Sequence, residues 1–379
     1  MSTSGRLPRA LHPGAWWLWA LAMATAASRT TNPLLLVLIV AVVAQVVAAR
    51  RSDAPWARGF KAYVYLGLVV IAIRVGFRIV LGGAYGTHVL FTLPEVSLPP
   101  SAAGIHLGGP VTAEGVLAAL YDGLRLATLL LCVGAANVLA NPKRLLKAMP
   151  AALYEIGVAV TVVLTVAPQL VESGQRVRRA RRVRGEDGRR FHVFREIAIP
   201  VMTDALDRSL LLAAAMDSRG YGRAAAVPAR ARAFTGTLLI GGLLGICVGT
   251  YGLLDSTAPR ALGLPMLLGA TVVGWAGMVL SGRRVPRTRY RPDPWGPPEW
   301  AVAGVGVAVA AVVVAASAIN PEGLVPSLDP LRWPTLPPAP AAAILLGVLP
   351  AWLAPPMVGG RVHRRRAPVR PAAVVEAVR

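Results

Sequence analysis

Two arginine-glycine pairs, Arg184-Gly185 and Arg219-Gly220, hold the most informative chemistry in this chain. The first closes a helix-like stretch through Ala180 and Val183, and the second closes one through Ala215, Met216 and Ser218. Glycine takes the left-handed conformation beyond a helix end without steric cost, and a nearby arginine complements the negative end of the helix dipole. Capping alone would account for one such terminus. Two of them in one charged, amphipathic stretch favour docking, because a guanidinium at a helix tip offers a planar fork of donors that suits a carboxylate in a partner's groove. Truncating one side of such a buried pair typically costs about 2–5 kcal/mol. The other arginines of 176–190 suit anionic lipid headgroups, at about 1 kcal/mol each near the surface.

The elements that must position these tips are membrane helices. The chain has 379 residues, is 55% hydrophobic and has a mean hydropathy of +0.56, with repeated apolar runs close to the roughly 20 residues that span a bilayer. A polytopic, all-α membrane protein with a cytosolic helical domain follows. The formal charge of +22 lies in the gaps between apolar runs, as expected for cytoplasmic loops, and no aromatic platform or base-reading motif accompanies it, so nucleic acid is not expected as a partner. The two cysteines sit inside apolar runs and the five histidines lack ligand spacing; neither a disulfide framework nor a metal site is expected. No phosphate-binding loop is completed by Lys61, Lys143 or Lys147, and no nucleophile has a recognisable base, so no catalytic residue is assigned.

Apolar runs place spans near 14–28, 33–49, 60–82, 116–140, 234–254, 262–281 and 301–319, with a weaker run at 341–353 that prolines would bend or break. The first run imitates a signal peptide, but a second follows at once; it is read as a retained helix whose Trp16, Trp17 and Trp19 form an interfacial belt. Arg74, Arg78 and Arg125 fall within spans and are candidate intramembrane contacts. Residues 84–114 contain no Lys or Arg and are expected to form an outer loop. The apolar run 151–171 is not counted as a span, since crossing there would put the following arginine cluster outside. The expected division is 1–140 for the N-terminal membrane helices, 141–232 for a cytosolic coupling-helix domain, 233–281 for a membrane hairpin, 282–300 for a Pro-rich basic linker and 301–379 for a membrane extension with a basic tail. Both termini are expected to be cytoplasmic.

With these residues in view, the chain resembles the transmembrane T component of energy-coupling factor transporters, the CbiQ-like family of vitamin and metal-ion importers. The resemblance rests on Pro168, Glu172, Arg176, Ala180 and Arg184-Gly185, then Pro200, Ala205-Leu206-Asp207-Arg208 and Ala215 through Gly222. It also includes Asn32-Pro33, Arg74 and Arg78, Gly108 through Thr112 with Glu114-Gly115, and Gly123 through Leu126, covering about residues 11–281. The family signature is usually Ala-Arg-Gly; Val183 and Ser218 replace its alanine here. The resemblance implies that Arg184 and Arg219 dock in grooves on two ATP-binding cassette subunits and that Gly185 and Gly220 end the coupling helices. It further implies a separate substrate-binding S component, a prokaryotic cell membrane, no cofactor on this chain, and ATP with Mg in the partner ATPases.

Two other classes compete. A membrane scaffold binding anionic lipid or another protein would make Arg184 and Arg219 interchangeable with their basic neighbours. A channel or secondary transporter would use Arg74, Arg78 and Arg125 as pathway residues, although its spans hold few acidic groups to pair with substrate or proton.

Overall fold

The computed structural model describes residues 9–51, 59–82, 86–96, 107–148, 153–184, 190–220, 228–255, 257–283, 293 and 295–355. Helices dominate, and the chain divides into two compact units: Met1–Leu145 with Asp293–Arg379, and Leu146–Pro292. By length and composition, seven segments among the described residues can cross a membrane: Pro33–Arg50, Phe60–Leu81, Ala113–Leu139, Ile156–Val183, Ala229–Leu254, Arg260–Arg283 and Pro297–Ile319. The run expected to stay out of the bilayer therefore lies in a helix apolar and long enough to cross it. Its N-terminal two-thirds supply the apolarity, while the arginines crowd its end.

In the first unit, α1 (Pro13–Ser28) and α2 (Pro33–Arg50) form a hairpin that starts each helix with a proline at the first turn, where no backbone donor is lost. The turn is fixed by Asn32, whose side chain accepts from Leu34 N at 3.0 Å. Next, α3 (Phe60–Leu81) lies along α4 (Ala113–Leu139). Small residues permit the approach: a Cβ on Gly134 would come within 2.5 Å of the Tyr63 ring, and one on Gly67 within 3.2 Å of Ala127 Cβ.

Between them the expected outer loop contains a two-stranded antiparallel ribbon, β1 (Val89–Val96) with β2 (Leu107–Thr112), registered from Val89 opposite Thr112 to Val96 opposite Leu107. Beta-branched and aromatic residues at 89–92 explain the pairing, which the count of prolines and glycines conceals. Thr112 ends the ribbon and caps α4 by accepting from Gly115 N. Glu114, buried in that first turn, accepts from Thr87 N and His88 N at 3.2 and 3.1 Å and lies 2.6 Å from His88 Nδ1. Gly86, at φ +93°, leaves room for its carboxylate: a Cβ there would stand 2.4 Å from Glu114 Cδ.

After the short α5 (Pro142–Lys147), the second unit holds α6 (Tyr154–Val183), α7 (Arg190–Ser218), α8 (Ala229–Leu254) and α9 (Leu264–Arg283). The α8–α9 hairpin packs backbone to backbone. Cβ atoms on Gly242, Gly249 and Gly252 would meet backbone of Gly274, Leu267 and Leu262 at 2.5–2.7 Å, so these glycines set the separation of the pair.

The C-terminal segment returns to the first unit as α10 (Pro297–Ile319), α11 (Pro321–Leu324), α12 (Pro338–Leu346) and α13 (Pro350–Leu353). Here α10 packs against α1, where a Cβ on Gly306 would lie 2.8 Å from Trp19 Cα. Trp16 and Trp19 are consequently core residues and not an interfacial belt; Trp19 Nε1 donates to Gly347 O at 3.1 Å. The last apolar run is broken, as its prolines require, yet it follows the length of α2. Asn32, before α2, donates to Gly323 O and Thr335 O at 2.9 and 2.7 Å, and Arg50, at its other end, donates to Ala351 O and Pro355 O at 2.8 and 3.1 Å.

Candidate functional site

The two arginine tips end two long helices of the second unit. α6 stops at Val183, and Arg184 is its cap residue, with its amide donating back to Ala180 O and Arg181 O. Gly185 lies outside the described residues. α7 stops at Ser218; Arg219 N and Gly220 N donate to Met216 O and Asp217 O at 3.1 and 2.9 Å, and Gly220 has φ +74°. That is the left-handed turn a glycine makes past a helix end. Ala180, Val183, Arg184, Ala215, Ser218 and Arg219 are exposed, with Met216 half-buried; Val183, a bulky apolar side chain, is 89% exposed.

Between these helices lies a polar clamp. Asp204 of α7 accepts from Ser173 Oγ of α6 at 2.7 Å and from Arg208 Nε at 3.0 Å, while Arg176 Nη2 stands 3.6 Å away. Arg208 also reaches Gln169 at 3.5 Å. The Ser173 hydrogen bond, then the Arg208 and Arg176 charges, hold the Asp204 carboxyl below the usual aspartate range. Each helix carries an internal proline shortly before its clamp residue, Pro168 before Ser173 and Pro200 before Asp204. Proline removes one intrahelical bond and loosens the helix locally. The clamp therefore joins α6 and α7 beside their weakest turns. The resemblance had drawn on Arg176 and Arg208 without pairing them, and Asp204 stood only as a charge in a charged stretch. The nearest signal was the i and i+4 spacing of Asp204 and Arg208 within α7, and nothing local pointed to Ser173.

Arg74, Arg78 and Arg125, on helices of spanning length, do not converge. Arg74 is exposed, and its Cβ would lie 3.4 Å from a Cβ on Gly123. Arg78 lies over Gly115, where a Cβ would meet its guanidinium at 2.7 Å. Arg125 donates to the Ser28 carbonyl at the end of α1, a favourable place for a cation. Arg74 and Arg78 thus start from the side of α3 that meets α4, and Arg125 reaches the end of α1. No group of three or more metal-ligating side chains occurs among the described residues.

Seven apolar helices of spanning length, with exposed tips on a charged helix pair, define a polytopic membrane protein. Residues 4–228 match the profile of the CbiQ family, described as a cobalt transport protein. The match takes in more than half of the chain, which therefore belongs to that family and is a membrane component of a transporter. It ends just before α8, so the α8–α9 hairpin and the C-terminal helices lie beyond it. A search of curated proteins finds no significant match.

Proposed function

We propose that this chain is the coupling subunit of an energy-coupling factor importer, passing the motion of two cytosolic ATP-binding cassette subunits to a substrate-binding membrane S component that carries a vitamin or a metal ion. The carrying observation is the pair of exposed arginine tips on helices joined by one clamp, in a chain of the CbiQ family. Arg184 and Arg219 dock in the ATPase grooves, each guanidinium pairing with a carboxylate. Val183, Met216 and Ser218 fill the apolar and small positions around them. ATP and Mg are bound and used by the partners, while this chain transmits. Nucleotide state must then favour one arrangement of α6 and α7 over another, because a partner that binds both equally shifts nothing. In this reading both termini and the α6–α7 tips lie on the cytoplasmic side of a prokaryotic cell membrane, where the basic residues of 176–190 also meet anionic lipid.

The test is co-purification with the ATP-binding cassette subunits encoded in the same genome. Reversal of both tips, Arg184→Glu with Arg219→Glu, should abolish capture, while reversal of Arg178 and Arg179 should leave it intact. Equal loss in both variants, with each inserted in the membrane, would replace docking by general attraction to acidic surfaces.

A further inference from the structure

The segment that joins α10 to α12 lies beyond the family match, and within the first unit it is fastened to the turn between α1 and α2. Leu324, whose side chain is buried, offers its carbonyl to Thr30 Oγ1 at 2.7 Å and to Thr31 N and Asn32 N at 3.0 and 3.1 Å. Asn32 Nδ2 holds both ends of the segment, through Gly323 O and Thr335 O. Ser327 locks a turn inside it: its Oγ donates to Asp329 O and Pro330 O at 3.1 and 3.3 Å, its carbonyl accepts from Arg332 N at 3.4 Å, and a backbone bridge joins Leu328 to Leu331. The backbone is thus well provided with partners, yet the apolar side chains are left uncovered. Trp333 is 94% exposed, and Val325, Leu331 and Leu336 are exposed on the same segment, as is Ile319 at the end of α10.

Depth, backbone and side-chain chemistry together say what covers them. Arg125, which holds the Ser28 carbonyl beside this turn, lies about 18 Å along α4 from that helix's first residue. The first turns of α4, a helix of spanning length, therefore rise past the α1–α2 turn and the segment fastened to it, so a partner in the water above is a poorer fit than the bilayer around α4. Pro326, Pro330, Pro334 and Pro337 bring no N–H, so this backbone has few donors that need water. Trp333 follows exposed Arg332; an indole settles where acyl chains meet headgroups, and a guanidinium suits the phosphates there. Glu322 and Asp329, exposed on the same segment, keep their hydration at such a boundary and would lose it in the hydrocarbon centre. We propose that residues 325–336 form a lipid-binding shelf: Trp333, with Leu331 and Leu336, inserts at the acyl–headgroup boundary of the leaflet that meets the α1–α2 turn, and Arg332 pairs with a lipid phosphate. Because Thr30 and Asn32 fix the segment, this contact sets the depth of the α1–α2 hairpin and of α10 in the membrane. Trp333 thereby takes the interfacial place that buried Trp16 and Trp19 do not. The shelf stands whether or not the chain couples to an ATPase.

The test places a nitroxide at Leu331→Cys, with Trp333 retained, on the full-length chain in vesicles of phosphatidylcholine and phosphatidylglycerol; exposed Cys247 is replaced by serine and Cys132 is buried. Collision rates are measured with oxygen, which enters acyl chains, and with a nickel chelate, which stays in water. The label should be open to oxygen and several-fold less open to the nickel chelate than a nitroxide free in buffer. Trp333→Asp in the same labelled chain should raise the nickel-chelate collisions several-fold, whereas Trp333→Tyr should leave them low. Replacing so exposed a side chain leaves no cavity, so these variants keep the fold. A label as open to the chelate as the free nitroxide overturns the shelf. So does shielding that Trp333→Asp fails to change, which removes Trp333 as the anchor. Shielding from oxygen and chelate alike marks a protein cover, a second copy of the chain or another partner, and overturns lipid as the occupant.

Discussion

At the residue scale, charge is used in two ways. Arg184 and Arg219 are exposed at helix ends, where each guanidinium keeps its hydration and incurs no desolvation cost. Asp204, by contrast, is already committed to Ser173, Arg208 and Arg176. Because its folded-state pKa is lowered, its contribution to stability is present above the unfolded aspartate value of about 3.9 and is lost as pH falls through and below it. Thermal unfolding of the purified chain should therefore show Asp204→Asn as less stable than wild type at neutral pH, with the gap narrowing as the solution is acidified below the unfolded aspartate value. A gap that stays constant across that range would remove Asp204 as the ionised centre of the clamp. Asn32 is a second committed residue: it caps α2 and donates to Gly323 and Thr335. Asn32→Ala should cost about 2–3 kcal/mol, from one lost cap and two carbonyls left without that donor, measured as a lowered denaturation midpoint.

At the element scale, glycine placement decides which helices pair. Gly242 faces Gly274 with no room for a side chain, whereas a Cβ on its neighbour Gly241 meets nothing within 4 Å. Gly242→Leu should separate α8 from α9 and destabilise the chain by about 1–3 kcal/mol, while Gly241→Ala should be neutral or slightly stabilising. Cysteine cross-linking across the hairpin reports the difference; equal behaviour of the two variants would refute close packing. The same scale explains α10. Its first turn buries Glu299, which Gly296 N and His12 N also serve, so Arg9→Ala removes the charged partner but leaves backbone donors. The expected cost is about 1–3 kcal/mol, read as increased protease nicking between residues 283 and 297.

At the scale of the whole molecule, the C-terminal segment is part of the first unit and not an appendage. It covers Trp16 and Trp19, runs beside α2 and brings Asp293 to Arg144. Truncation after residue 292 should expose that apolar face, so the shortened chain should insert in the membrane yet aggregate on extraction, as size-exclusion chromatography would show. A monodisperse truncated chain with unchanged thermal stability would mean that the C-terminal segment is dispensable to the fold.

The sequence by itself determined the helices and their ends. Runs of about 20 apolar residues, prolines in first turns and Arg-Gly at the tips are local signals, because in a bilayer each helix must satisfy its own backbone. The tips at Arg184 and Arg219, the family resemblance and most spans were legible for that reason. Only the tertiary structure decided the partners. Arg9 meets Glu299 across 290 positions, Arg144 meets Asp293 across 149 and Ser173 meets Asp204 across 31. Periodicity holds no record of such pairs, since each residue alone looks like an ordinary surface polar group. The burial of Trp16 and Trp19 was hidden in the same way: a tryptophan at a helix start suits a lipid interface or a core equally, and the choice lies with α10 and α12, encoded some 300 residues later. The ribbon at 89–112 was missed because its prolines and glycines mark turns locally, while cross-strand pairing, a non-local interaction, makes it a sheet.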